Sequence, residues 1–168
     1  AFAYIGLIAG LVTYFDWAWL LAGLAYSWLL FLIGASCGLH KYSSHRSFEP
    51  KNRFYKILML SCSTVLSLGS NVSWACTHRK HHKYSDHEGD PHSPNINGGG
   101  FWRSIRLWFY YFPTYQINPR TVKDLSIDKD HKWFHNNYFK LNLAWFVILF
   151  LISPKVATYF YFLPIIYG

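Results

Sequence analysis

WAWLLAGLAYSWLLFLIGASCGL, residues 17–39, is a run of twenty-three residues without a charge. As a helix rising about 1.5 Å per residue it covers the roughly 30 Å hydrocarbon core of a bilayer, so it reads as a membrane span and sets the fold class. The rest of the chain agrees. Of 168 residues 52% are apolar, 21% aromatic and only 14% charged, a balance outside the soluble range. Further uncharged runs cover residues 1–15, 57–77, 141–154 and 156–168.

Asp16 separates the first two runs, with Tyr14, Trp17 and Trp19 around it as interfacial aromatics. A hairpin turning there keeps the carboxylate out of lipid, where it costs several kcal/mol. A second hairpin hinges at Ser153, Pro154 and Lys155. Spans are therefore expected near 1–15, 17–39, 141–153 and 156–168. The terminal runs are short for a span, the chain opens on Ala1, and both ends read as cut. No basic segment precedes Phe2, so the opening run is not a cleavable signal peptide.

The net charge of +8 is localised: fifteen of the sixteen Lys and Arg lie between Lys41 and Lys140, and Lys155 stands apart. That asymmetry places a cap, residues 40–140, on the cytoplasmic side of the membrane. A basic nucleic-acid module is excluded, because the charges are tied to a membrane face and no recognition motif accompanies them. Cys37, Cys62 and Cys76 lie in apolar runs without C-x-x-C spacing and are expected to be free thiols.

Within the cap, residues 55–77 predict an amphipathic interfacial helix. At about 100° per residue Ser63, Thr64, Ser67, Ser70 and Asn71 share one face, and Ile57, Leu58, Val65, Leu68, Val72 and Ala75 the other. Lying in the interface or dipping into the protein, such a helix keeps both ends on one side. Residues 84–100 hold the Asp90-Pro91 and Ser93-Pro94 turns and then Asn97-Gly98-Gly99-Gly100, and read as loop. Regular structure resumes near Phe101.

Five of the nine histidines fall into two boxes, His40-Lys-Tyr-Ser-Ser-His45 and His78-Arg-Lys-His81-His82. On a helix His78, His81 and His82 project from one face, which makes a metal-binding edge. The five-residue step from His40 to His45 rotates by about 140° on an α-helix, so that pair shares a metal only if the helix frays or the cluster lies between the two. Imidazole suits iron, zinc, copper and nickel alike. The two boxes can serve one cluster only from the same side of the membrane, which a non-spanning 55–77 helix allows.

Around these boxes the sequence resembles the membrane fatty acid desaturase family, most closely its delta-9, stearoyl-type branch. Gly38-Leu39-His40 through His45-Arg46-Ser47-Phe48 resembles the first box. Trp74, then His78 through Asp86 and Asp90-Pro91-His92, resembles the second. Gly100-Phe101-Trp102, Trp108, Asp124-Leu125 and His135 through Lys140 echo the linker before the next spans, although Ile105 and Leu107 stand where family members often carry a different motif.

The resemblance implies an all-α integral membrane protein of transmembrane helix hairpins with an amphipathic interfacial helix and a cytoplasmic helical cap. It implies two iron ions with His40, His45, His78, His81 and His82 among their ligands, dioxygen as oxidant, and electrons from cytochrome b5 or ferredoxin. Trp74 would line the tunnel for the fatty acyl substrate, or anchor the interface. The family's third His-x-x-His-His box is absent from these residues, so the five histidines leave the two-iron site incomplete and the 168 residues alone are expected to be inactive. His131 and His135 align with a pre-membrane segment and His87 and His92 with a loop, and none of these is carried over as a ligand.

The basic cap suits an acidic electron donor and equally anionic membrane lipid. Cys76-Thr77, where animal-type coenzyme A enzymes place Arg-Asp, leans toward an acyl-lipid substrate. The rival readings are another histidine-box hydroxylase, acting on a sterol, carotenoid or alkane, and a non-catalytic membrane protein that keeps the boxes as scaffold.

Overall fold

A computed structural model of the chain describes residues 2–91, 93, 95, 100–102, 118 and 120–168. His92, Pro94, the Asn97-Gly98-Gly99 turn, Ile105, Leu107 and Trp108 lie outside them. Among the described residues all regular structure is helical. We label the helices α1 (Phe2–Tyr14), α2 (Trp17–Ser44), α3 (Arg53–Val65), α4 (Asn71–Tyr84), α5 (Lys123–Ile127), α6 (Lys129–Asn136), α7 (Tyr138–Ile152) and α8 (residues 154–167).

The uncharged run from Trp17 to Leu39 forms most of α2, but the helix does not stop at Leu39. It continues to Ser44, 28 residues in all, and carries His40 on its final turns with His45 as its C-terminal cap. By length and composition α2 is the one helix, among the described residues, able to cross a membrane alone; α1 and α7 are shorter apolar helices. Asp16 caps the start of α2, its Oδ1 accepting from the Ala18 and Trp19 amides at 2.9 and 3.3 Å.

The turn at Asp16 separates α1 and α2 widely enough for both to pack on α8. Gly6 and Gly10 of α1 face Phe162 and Thr158, while Gly23 of α2 faces Tyr159 and Leu163. The hairpins are thus interlocked rather than side by side. Leu7, Leu149, Ala157, Tyr159, Phe162 and Leu163 form the buried core of this bundle. At its end away from the boxes, Lys155 Nζ lies 2.9 Å from Asp16 Oδ2 and 5.0 Å from the centre of the Trp19 ring. Beside it the Tyr159 hydroxyl donates to the Tyr14 carbonyl and accepts from the Asp16 amide. Outward-facing apolar side chains are large and numerous, among them Ile5, Ile8 and Val12 on α1, Trp17, Leu21 and Trp28 on α2, and Phe139, Leu143 and Leu151 on α7.

The single interfacial helix expected over 55–77 is corrected to two, α3 and α4, broken over residues 66–70. The break is conformational: Ser67 and Gly69 have φ of +57° and +106°, outside the helical region. α7 holds it in place. Tyr138 Oη accepts from the Gly69 amide at 3.0 Å, and Ser67 Oγ donates to Asn142 Oδ1. Ser70 then caps α4 by accepting from the Ser73 amide.

The amphipathic pattern of α3 is also turned about. Ser63 and Thr64 are buried, whereas Leu58, Phe54 and Tyr55 are exposed. The small polar side chains face α2, where Ser63 Oγ donates to the Gly34 carbonyl at 2.8 Å and to Met59 O at 2.6 Å. Gly34 lets the helices come together, because a Cβ there would stand 2.6 Å from the Cys62 carbonyl carbon. Close approach through small residues is how apolar helices associate where water supplies no driving force. The three cysteines are free thiols, as their spacing implied.

α6 fastens to α3 through charge. Lys56 Nζ lies 2.6 Å from Asp128 and 3.1 Å from Asp130, and Arg53 reaches Asp130 at 2.8 Å. This brace fixes the cap over the end of α2, where the boxes are.

Candidate metal centre

The first box reaches the site because α2 changes helix type. Phe31–Ser44 is π-helical, with hydrogen bonds spanning five residues rather than four. The His45 amide donates to the His40 carbonyl at 3.0 Å, and the Ser44 hydroxyl to the Leu39 carbonyl at 2.8 Å. In such a turn the fifth residue returns beneath the first. His45 therefore comes under His40, with ring centroids 4.5 Å apart, and the misalignment expected of an α-helix is removed without fraying.

The second box rides on α4, which packs against the end of α2. His78 and His82 are one α-helical turn apart, and their Nε2 atoms are 3.1 Å apart. His45 Nε2 lies 3.2 Å from both His40 Nε2 and His78 Nε2. The ligand atoms of His40, His45, His78 and His82 all fall within 4.8 Å of one another. Two nitrogens bound at about 2.1 Å to one ion with tetrahedral or right-angled geometry are roughly 3.0–3.4 Å apart, so these separations suit a shared divalent cation.

His81 departs from the common edge expected of its box. It is outside the four-histidine group: its Nδ1 lies 2.9 Å from each Asp90 carboxylate oxygen, and its ring is 6.2 Å from that of His78 and 5.6 Å from that of His82. Trp74 stacks on His78, rings 4.5 Å apart and inclined by 22°, and meets His40 edge-on at 6.4 Å. His131 is a structural residue, buried between Asp128 Oδ1 at 3.0 Å and Ser43 Oγ at 3.4 Å. His135 Nδ1 contacts Ser70 Oγ at 2.6 Å, and His87 Nδ1 donates to the Ser85 carbonyl. None of these three joins the cluster.

Electrostatics disfavour protonation of two members of the cluster, His78 and His45. Burial, followed by the charges that His82, His40, His45 and His81 would carry, holds His78 down to about 3. His45 is lowered by burial and then by His40, His82 and Arg79. At these two positions a neutral imidazole offers its lone pair to a cation without first giving up a proton.

The same shifts make the metal-free protein acid-sensitive. His131 and His135 are also lowered, chiefly by burial, so four histidines take up protons in the unfolded chain before the folded one. Groups depressed in this way stabilise the fold above their unfolded value, and that stability is lost as pH falls below about 6.5. From pH 6.5 to 5 the His78 contribution is at most about 2 kcal/mol, reduced by solvent screening. Asp124, Asp128 and Asp130 are lowered too, and extend the loss below about pH 4. Thermal unfolding of metal-stripped full-length protein should show a falling midpoint from pH 7 to 5; a flat profile there contradicts this account.

Arg79, which the sequence reading passed over, holds the two boxes in register. Its Nε donates to Ser44 O at 2.9 Å and Nη2 to Ser43 O at 2.8 Å, which satisfies carbonyls at the end of α2. Its Nη1 and Nη2 also grip both Asp124 oxygens at 2.8 and 2.9 Å, and Nη1 reaches Thr121 O at 2.8 Å. Arg46 adds a contact to Asp124 at 3.2 Å. One signal was available. With eight acidic residues against sixteen basic ones, each acid in the cap is a candidate partner for an arginine embedded in a box.

Comparison with known proteins gives the family. The fatty acid desaturase family model matches residues 16–168. The sn-1 stearoyl-lipid 9-desaturase of Synechocystis sp. is 34% identical over 155 residues, 89% of this chain and 46% of that protein. Delta-9 acyl-lipid desaturase 2 of Arabidopsis thaliana is 36% identical over 132 residues, 73% of this chain and 38% of that protein. The hex-5-enoyl-(acyl-carrier protein) acetylenase of Moorena producens is 37% identical over 143 residues, 77% of this chain and 41% of that protein. The chain thus spans less than half the length of these relatives. With two histidine boxes meeting in space and a family match from residue 16 to residue 168, the chain belongs to the fatty acid desaturase family.

Proposed function

We propose that the chain is part of an oxygen-dependent fatty acyl desaturase that introduces a double bond, at the delta-9 position, into a lipid-linked acyl chain. The observation that carries this is the convergence of His40, His45, His78 and His82, from two separate helices, within 4.8 Å. These residues would hold iron, with His81 beside them, and five histidines are only part of a two-iron ligand set. Iron with dioxygen supplies the oxidising power that unactivated methylene carbons require and acid–base groups lack. Each double bond then consumes one dioxygen, two electrons and two protons, and releases two waters.

The chain's own residues would position and exclude. Trp74, stacked on His78, offers an apolar wall beside the metals along which an acyl chain could lie. The exposed apolar side chains of α1, α2 and α7 would face lipid, which makes the protein a multi-pass membrane protein with its boxes on the cytoplasmic side. The basic cap would receive cytochrome b5 or ferredoxin. An acyl-lipid substrate is supported by the names of the Synechocystis and Arabidopsis relatives and by Cys76-Thr77 before the second box.

The test is expression of the full-length protein in a desaturase-deficient host, followed by analysis of its lipids. New acyl chains unsaturated at carbon 9 are expected. Hydroxylated lipid in their place would sink the desaturase reading in favour of a hydroxylase.

A further inference from the structure

Of the five box histidines, His81 is the only one with a carboxylate against its ring among the described residues. Asp90 is built into that position. Its side chain is fully buried, with 0% exposure, and it also accepts the Asp86 amide at 2.8 Å. The loop after α4 is shaped to return it to the helix. Asp86 and Gly89 have φ of +58° and +97°, the Asp90 amide donates to His87 O, and Ser93 Oγ ties the loop shut on Asp86 Oδ1 at 2.6 Å.

Carboxylate oxygens accept hydrogen bonds, so contact of both at 2.9 Å with Nδ1 places a ring hydrogen there and leaves Nε2 as the atom that can turn a lone pair to a metal. The four clustered histidines face one another instead, through Nε2 atoms 3.1–3.2 Å apart. The two arrangements are adjacent yet distinct.

We propose that Asp90 is a positioning residue of the metal centre: through His81 Nδ1 it fixes the tautomer that offers Nε2 to a second metal ion beside the four-histidine cluster. This rests on the reading of the chain as part of a two-iron enzyme. A carboxylate in this place also raises the basicity of the coordinating nitrogen, and losing such a partner lowers metal affinity by about 10–100-fold. An asparagine there can donate to Nδ1, which favours the opposite tautomer.

The experiment uses full-length protein loaded with iron, with metal per chain measured by elemental analysis and each ion's affinity by chelator competition. Wild type should carry two ions. Asp90→Asn should weaken one of them by about 10–100-fold and leave the other unchanged. Ser93→Ala, which loosens the same loop without touching His81, should retain both. In a His81→Ala background Asp90→Asn should have no further effect. Two ions at wild-type affinity in Asp90→Asn overturn the proposal, as does equal loss in Ser93→Ala or additive loss with His81→Ala. Should Asp90→Asn fail to accumulate, accumulation of the double variant supports the proposal, and its failure as well overturns it. A wild type that binds no metal fails the enzyme reading itself, an outcome distinct from all of these.

Discussion

If the proposed function holds, full-length protein carrying His78→Ala is expected to lose metal and acyl-chain desaturation together, with metal affinity down by more than about 100-fold. The bound is set by comparison: an outer-shell partner costs about 10–100-fold, and a direct ligand must cost more. His78 is the hub of the cluster, because its Nε2 lies 3.2 Å from that of His45 and 3.1 Å from that of His82. Trp74 stacks on its ring and fixes the angle at which it is presented. Removal therefore deletes one proposed ligand and frees the Trp74 ring stacked on it. His87→Ala serves as the contrast, since His87 is exposed in the loop and its ring Nδ1 is bonded to the nearby Ser85 carbonyl, away from the cluster. It should bind metal as wild type does. Elemental analysis and lipid profiles of both variants decide the matter, and metal retained by His78→Ala would remove that residue from the centre.

The second large effect is expected at Arg79. Arg79→Lys should lower stability by about 3 kcal/mol, within the range for breaking a hydrogen-bonded ion pair shielded from water. Charge is kept in this variant, so what is lost is shape. A lysine offers one compact ammonium where the guanidinium makes five contacts to Ser43, Ser44, Thr121 and Asp124 in fixed directions. Arg79 and Asp124 are only a fifth to a quarter exposed, so water does little to replace those bonds. Burial opposes ionisation of Asp124, yet the Arg79 hydrogen bonds and charge still hold its carboxyl below the usual range. A double-mutant cycle with Asp124→Asn, read by thermal unfolding, should show strong coupling; additive losses would mean that the two act apart.

Both positions lie in a motif that sequence finds easily, yet their roles were unequally legible there. Grouping of histidines identified the boxes, since clustering in sequence survives any fold. Which histidines meet was less accessible. His81 and His82 look equivalent on a helical wheel, and only the returning loop with Asp90 tells them apart. His131 and His135 have proper helical spacing, but their partners Asp128 and Ser70 occupy them.

The break after α3 was hidden because an apolar run with scattered serines continues through it, and the positive φ at Ser67 and Gly69 is enforced by Asn142 and Tyr138, far along the chain. The inward turn of the α3 polar face has a physical origin too. Periodicity reports that two faces differ, not which one meets the protein, and here the small polar face is the one packed on α2. Legible from the start were a helix in α2 long and apolar enough to cross a membrane, the free thiols and the concentration of positive charge between Lys41 and Lys140.

The wide turn between His40 and His45 makes the length of that segment a constraint in its own right. Deleting one residue from Lys41 to Ser44 would leave both histidines in place in the sequence, at the four-residue spacing natural to an α-helix. Inserting one would turn His45 away from His78 by one further residue's rotation about the helix. The first change is compatible with the cluster only if the turn narrows to match, and the second with no ordinary helix. A gap in this stretch would thus be as consequential as a lost histidine, although a count of ligands would not register it.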